Sequence, residues 1–436
     1  MGCKYGQGKE NPGMERMRSI FLIFLGFLVL GATASAEEAP RPVSFYTNAA
    51  LANNPSLAAM QERIRMKENA AIRAGALDDP KGWVGITNVP VKSWSFREED
   101  MTGKEIGLSQ MFPYPGKLKL RTEVATREKE QTEFDLQEMR NMLQAEIQMA
   151  YADLSSVRRQ AEVVRRTREI LREIVAVSQE MYAVGRVVQA DVHRGQVEFE
   201  KMREMLLVLE NREKVLSIRL NTLAALPPGL PVPALLDLQE FALPYRMEEL
   251  IAMYNEVRPA RKSLEARVLR GEASIAMAKK EYYPDFELSA SYMQRDATPD
   301  GTRRPDMFSS MALLTLPIWR KQKLDPFVRE MTAEREMSRR ELANLDLEAS
   351  NAIGKSLATI ENRTEVAALF RTTIIPHAET NFETTLAAYR VGKVDFPALL
   401  DTITNLLSFR KNYHETVGDL NMEKARLGAA VGKDLN

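Results

Sequence analysis

The side chains able to do chemistry are few, and their spacing suits little of it. The chain has three histidines, His193, His377 and His414. No pair stands at a metal-binding helical spacing and no H-E-x-x-H occurs, so a histidine-based zinc centre is not encoded. Met139-x-x-Met142 and Met202-x-x-Met205 place thioethers one helical turn apart, a pattern that could suit Cu(I). Met202 also falls in an apolar seam, where packing is the simpler reason for a methionine. The only cysteine is Cys3, which excludes disulfides and thiolate sites from the body of the protein. P-loop, G-x-S-x-G and dinucleotide glycine fingerprints are absent from the mature region. The chain therefore reads as a non-enzyme that needs no cofactor and holds no resident metal.

Composition narrows the class further. Of 436 residues, 60 are Lys or Arg and 60 are Asp or Glu, so the net charge is zero and nothing recommends nucleic acid as a partner. Charged residues make up 28% and mean hydropathy is −0.31, which argues against a polytopic helical membrane protein. The amino terminus is a separate matter. Arg16 and Arg18 precede an apolar run from Ile20 to Leu30, followed by small residues and the triplet Ala34-Ser35-Ala36. That run is too short to span a bilayer but suits a cleaved export signal, with Glu37 as the mature start and an over-extended start before Met14 or Met17.

The elements that must position any site come from an internal duplication. Pro55, Pro80 and Pro113 recur at one constant offset as Pro259, Pro284 and Pro317, and Tyr182-Ala183-Val184-Gly185 recurs as Tyr389-Arg390-Val391-Gly392. Residues 1–36 form the signal peptide, 37–225 the first repeat, 226–245 a Pro-rich linker and 246–436 the second repeat. Each repeat reads as a helical pattern with Pro55 or Pro259 inside it, two strands, a very long helix, a tight turn and a returning helix. The first long helix runs from about Lys117 to Tyr182 without glycine or proline, roughly 100 Å of chain. Leu143, Ile147, Ala150, Leu154, Val157, Ala161, Val164, Arg168 and Leu171 alternate by four and three, as a coiled-coil seam requires. Val192, Gly195, Phe199 and Met202 continue the rhythm past the first turn, and Leu399, Ile403, Leu406 and Arg410 past the second. Gly185 and Gly392 mark the reversals, where a left-handed residue ends a helix.

Four segments break the helical period: Lys81–Val89, Lys104–Phe112, Asp285–Met293 and Met307–Leu316. They alternate in polarity and have the length of tilted transmembrane strands. All three tryptophans, Trp83, Trp94 and Trp319, lie in or beside them, which suggests an interfacial girdle. Four strands cannot close a membrane barrel, since such barrels start at about eight, and an open edge in lipid leaves backbone groups unpaired. Other copies of the chain must pair those edges, in a cyclic oligomer whose order the residues do not set.

This organisation resembles the TolC family of outer-membrane efflux proteins over nearly the whole mature chain. The resemblance is carried by Asn54-Pro55-Ser56-Leu57, by Gln110-Met111-Phe112-Pro113-Tyr114-Pro115-Gly116-Lys117-Leu118 and by the paired Tyr-x-x-Gly turns. It implies a mainly α fold with a small β part: a long coiled-coil tunnel reaching into the periplasm beneath a transmembrane β-barrel shared by a homotrimer, twelve strands in all. It further implies an outer-membrane location, contact with outer-membrane lipid, and service as exit duct to a periplasmic adaptor and an inner-membrane transporter of the RND type. The Phe112–Lys117 segment looks closest to the heavy-metal efflux branch typified by CusC and CzcC; drug-efflux and type I secretion ducts share the plan.

The same resemblance assigns roles at the tunnel's periplasmic end. Asp191 and Tyr389 match the family's gating aspartate and tyrosine, while Val394 stands at its arginine position, with Lys393 and Arg194 as substitutes. Asp401 matches the second of two constriction aspartates, and Ala398 replaces the first. His193, near this aperture, is a candidate for transient metal contact. Gly185, Arg186, Gly392 and Lys393 would form the rim that meets the adaptor. Two other classes compete: a periplasmic adaptor, which should carry one hairpin rather than two, and a structural coiled-coil protein, which would not need the strand pairs.

Overall fold

The computed structural model describes residues 39–435. The export signal, Cys3 and the Glu37 start lie outside them. Residues 39–42 and Val232–Leu236 make a small unit of their own, in which Arg41 and Leu235 form a parallel bridge. The remainder is a second unit.

In that second unit, α1 (Val43–Asn53) and α2 (Pro55–Ala74) lead to β1 (Lys81–Thr87), β2 (Gly103–Phe112), α3 (Lys117–Ala183) and α4 (Gln189–Leu223). The second repeat supplies α5 (Met247–Val257), α6 (Pro259–Lys280), β3 (Asp285–Gln294), β4 (Met307–Thr315), α7 (Asp325–Leu369), α8 (Ile375–Arg390) and α9 (Phe396–Val431). The fold is mainly helical with one small antiparallel sheet.

The prolines expected inside helical patterns instead begin helices. Pro55 and Pro259 each occupy the first position of a new helix, where a missing N–H costs nothing. Asn54 completes the first of these breaks, its side chain accepting from Ser56 N–H at 2.8 Å. The second long helix is not continuous either. A π-helical turn, Phe370–Ile374, separates α7 from α8, because Pro376 cannot donate to the preceding turn.

Helix α3 is the spine, packing against α2, α4, α6 and α9. Its expected seam is buried, with Leu154, Val157, Val164 and Leu171 all sealed from solvent. The polar seam member Arg168 lies with its guanidinium 4.5 Å from the Phe199 ring centroid, and Arg158, beside the seam, reaches Glu213 on α4 at 2.8 Å. Met202 is buried in the α4 seam, so it packs.

Nearer the middle of α3, a groove of about 600 Å³ is lined by Ser156, Arg159, Asp237, Glu379, Tyr413 and His414, among others. Burial pushes the His414 pKa below the ordinary imidazole value, and Arg159 adds to the effect against Glu162 and Asp237. The folded chain therefore favours the neutral ring. The stability this contributes is present above the unfolded value near 6.5 and is lost as pH falls towards the depressed one. Thermal melts should show the parent weakening between pH 7 and pH 5 more than His414→Gln, and parallel pH profiles would refute this role.

The sheet order is β1-β2-β3-β4, all neighbours antiparallel, with β1 and β4 as open edges. Along β2 and β3 every second residue is exposed over Lys104–Leu108 and Leu288–Gln294; the middle of that set is apolar, Ile106, Leu108, Leu288, Ala290 and Tyr292, and the paired Lys104 and Gln294 end it. The alternate set, including Glu105, Gly107, Ser109, Ser289 and Ser291, is buried or half-buried, so the sheet curls towards its smaller, more polar face. Trp94 and Trp319 are exposed, at 66% and 65%. Trp83 departs from the expected girdle. It pairs with Gly107 on the polar face and lies so close that a Cβ at Gly107 would fall 2.1 Å from its ring. Among the described residues no helix is long and apolar enough to cross a membrane.

Candidate gate and docking tips

Both helical hairpins end in the same backbone device. At the first tip, Gly185 has φ +74°, its N–H donates to Tyr182 O at 2.9 Å, and Arg186 N–H donates to Met181 O at 2.8 Å. At the second, Gly392 has φ +73°, with Gly392 N–H on Tyr389 O at 2.9 Å and Lys393 N–H on Ala388 O at 3.0 Å. These are Schellman closures, each built on one left-handed residue. Gly185, Arg186, Gly392 and Lys393 are all exposed, and a Cβ on either glycine would meet nothing within 4 Å. The returning helices start differently. Asp395 caps α9 by accepting from Ala398 N–H at 3.1 Å, whereas Val188 precedes α4 without a side-chain cap.

Just behind the tips the two hairpins interlock. Tyr389, only 1% exposed, packs its ring 5.7 Å from that of Phe396. Phe396 in turn fills the space left by Gly195, where a Cβ would sit 2.9 Å from the ring. The Tyr389 hydroxyl shares a buried 2.9 Å hydrogen bond with Ser178 on α3. Asp191 is its electrostatic neighbour and not its bonding partner. Burial raises the Tyr389 pKa above the usual phenol value, Ser178 opposes this and the Asp191 charge reinforces it. Asp191 lies 3.6 Å from Arg194 on its own helix, in the first turn of α4, where a carboxylate also suits the helix dipole. Lys393 is exposed and Val394 half-buried.

The other expected site residues stand apart from this lock. Asp401 is exposed one turn further along α9. His193 is exposed, its Nδ1 3.2 Å from Gln196 Oε1. Sequence reasoning missed Ser178 and Phe396. Ser178 was findable, since it continues the seven-residue series Val157, Val164, Leu171 as the single hydroxyl in an apolar seam.

The motif after β2 forms a second constellation, where sheet meets helices. Gly116, at φ +94°, turns the chain into α3 and brings Lys117 inward to 1% exposure. Its ammonium donates to Glu281 and Asp285, both at 3.0 Å, while Asp285 also accepts from Tyr114 N–H at 2.7 Å. The Tyr114 ring stacks on Tyr283 at 4.5 Å.

The sequence matches the family described as outer membrane efflux protein over residues 47–226 and 250–433, one match for each repeat. The chain belongs to that family. Outer membrane efflux proteins are channels and not enzymes, which settles the class. Three solved structures share the fold. The outer-membrane channel OprN is 17% identical with a TM-score of 0.76, the alignment covering 90% of each chain. The outer membrane protein VceC from Vibrio cholerae is 17% identical with a TM-score of 0.75, covering 90% of this chain and 97% of that one. CusC is 14% identical with a TM-score of 0.77, covering 93% and 96%. No curated protein sequence matches the chain.

Proposed function

We propose that three copies of this outer membrane efflux protein assemble into an exit duct that carries substrate, heavy-metal cations in particular, from a periplasmic adaptor and an inner-membrane RND-type pump to the exterior. The observation that supports this most is the four-stranded sheet. It is open at both edges and apolar on its outer face, so it can be satisfied in lipid only when further copies close it. In this reading the hairpin tips are the periplasmic rim, and the Tyr389 lock holds the aperture shut, with Asp191 nearby. Asp401, repeated by three-fold symmetry, gives a ring of carboxylates that draws divalent cations.

Single trimers in planar bilayers test both parts. The parent should form pores of low resting conductance that divalent cations block. Tyr389→Phe removes one hydrogen bond per copy, about 1 kcal/mol each, and with Asp191→Ala should raise resting conductance. Asp401→Ala should leave the closed state intact but weaken divalent block. Failure to form pores would count against the duct. Pores unchanged by all three substitutions would count against the gate alone.

A further inference from the structure

The chain closes once a joint that its duplication implies twice. Strands β2 and β3 belong to different repeats, and the seam between them ends in the Lys117 cluster. The repeated prolines set the correspondence. Pro113 and Pro317 make β4 the counterpart of β2, and Pro80 and Pro284 make β1 the counterpart of β3. The two free edges of the sheet are therefore the two halves of a second such seam. One chain cannot join them, because four strands are too few to close. The helices follow suit: α3 packs on α6, while their counterparts α7 and α2 end the row of contacts α2-α3-α6-α7.

Charge keeps to the same plan. At the closed joint, an ammonium just after the strand that runs towards the helices meets carboxylates at the start of the strand that leaves them. At the open edges, Arg320, Lys321 and Lys323 follow β4, and Asp78 and Asp79 precede β1. All five are exposed, and none makes a side-chain hydrogen bond or ion pair among the described residues. By the proline correspondence Lys321 stands where Lys117 does. Ile318 and Asp79 stand where Tyr114 and Tyr283 do, the pair whose rings stack at 4.5 Å. Lys81 replaces Asp285, so on this edge the acids sit just ahead of the strand. Apolar side chains flank both corners, with Leu316, Ile318 and Trp319 exposed beside the cations and Leu77 beside the acids.

We propose that a second copy of the chain docks here: its Asp78–Asp79 corner seats against the Arg320–Lys323 corner and remakes between copies the joint that Lys117 makes within one. The incoming β1 runs antiparallel to β4, as β3 does to β2. Each copy offers one corner of each sign at opposite edges of its sheet, a head-to-tail contact that closes into a ring. The charges also reject a wrong partner. With all helices on one side of the membrane, two β4 edges would meet in parallel and crowd their cations together. The inference rests on the duct reading, which requires further copies to close the sheet.

Cysteine pairs test the contact, since the chain has no cysteine beyond Cys3. Asp79→Cys with Ile318→Cys, oxidised in native membranes, should give covalent trimers, and either substitution alone should not. Charge reversal tests the cause. Asp78→Lys with Asp79→Lys should convert most of the trimer to monomer on unheated gels, through like charges at every joint. Adding Lys321→Glu and Lys323→Glu should restore the trimer, a rescue that a merely structural role would not give. If the cysteine pair fails to link while the parent shows trimers and pores, the joint is overturned and the duct stands. A reversed corner that assembles like the parent, or a combined variant no better than it, overturns the charge clamp. Covalent rings of a number other than three support the joint and overturn the trimeric duct. A parent that stays monomeric in native membranes overturns both.

Discussion

A Gly185→Val, Gly392→Val variant is expected to lose efflux while its trimers remain in the outer membrane. Both glycines hold a left-handed backbone that a β-branched residue adopts only at a cost of about 1–2 kcal/mol, and a trimer would carry the penalty at every tip. A Cβ at either position meets nothing within 4 Å, so the penalty is mainly conformational. It is relieved by undoing the 2.8 Å and 3.0 Å closures at Met181 and Ala388, which redirects the rim and leaves the seams alone. Leu171, Val192, Leu399 and Ile403, buried behind the tips, still hold the hairpins together. Substrate susceptibility of cells, read beside cross-linked trimers from the same membranes, decides the matter. Alanine at the same positions should give a milder loss. Full efflux by the valine variant would remove the tips from adaptor docking.

Lys117→Met should have the largest effect on assembly. The ammonium is buried between Glu281 and Asp285, whose side chains keep 32% and 21% exposure. Removing it leaves two carboxylates facing each other at the joint between sheet and helices. Breaking a buried ion cluster from one side costs about 3 kcal/mol or more, discounted here for the water that still reaches the acids. The expected result is loss of heat-resistant trimers on gels. Adding Glu281→Gln and Asp285→Asn should recover much of it. The neutral amides no longer repel, and the amide oxygen that replaces the Asp285 carboxylate can still accept from Tyr114 N–H. If the triple variant is no better than the single one, the loss is one of packing and the charge argument is wrong.

How far residues alone led depended on how local the determinant was. The α3 boundaries, the four strands and both left-handed turns were legible because each rests on near neighbours: an uninterrupted helical period, alternation, a glycine after tyrosine. The side of the sheet on which Trp83 lies was not. It depends on the register of β1 with β2, set by a fifteen-residue connection, 88–102, whose geometry no local pattern fixes. The Tyr389 partner was hidden for the same reason, since Ser178 comes from the other repeat. Pro376 was legible as a helix disruptor but was passed over, and it made the second hairpin unlike the first.

The junction of β2 with β3 has a consequence for how the chain is made. The hairpins β1–β2 and β3–β4 close locally, but Gly107 must find Ser291 across nearly the length of a whole repeat. Closing so long a loop is slow, and long-range strand pairing is the part of folding that native contacts reward last. The sheet therefore cannot be complete until the second repeat has been delivered. Until then only the β1–β2 hairpin is present, and a two-stranded hairpin is not stable alone. A late seam of this kind keeps the chain passable through water and reserves the membrane-competent surface for the moment when the last strands arrive.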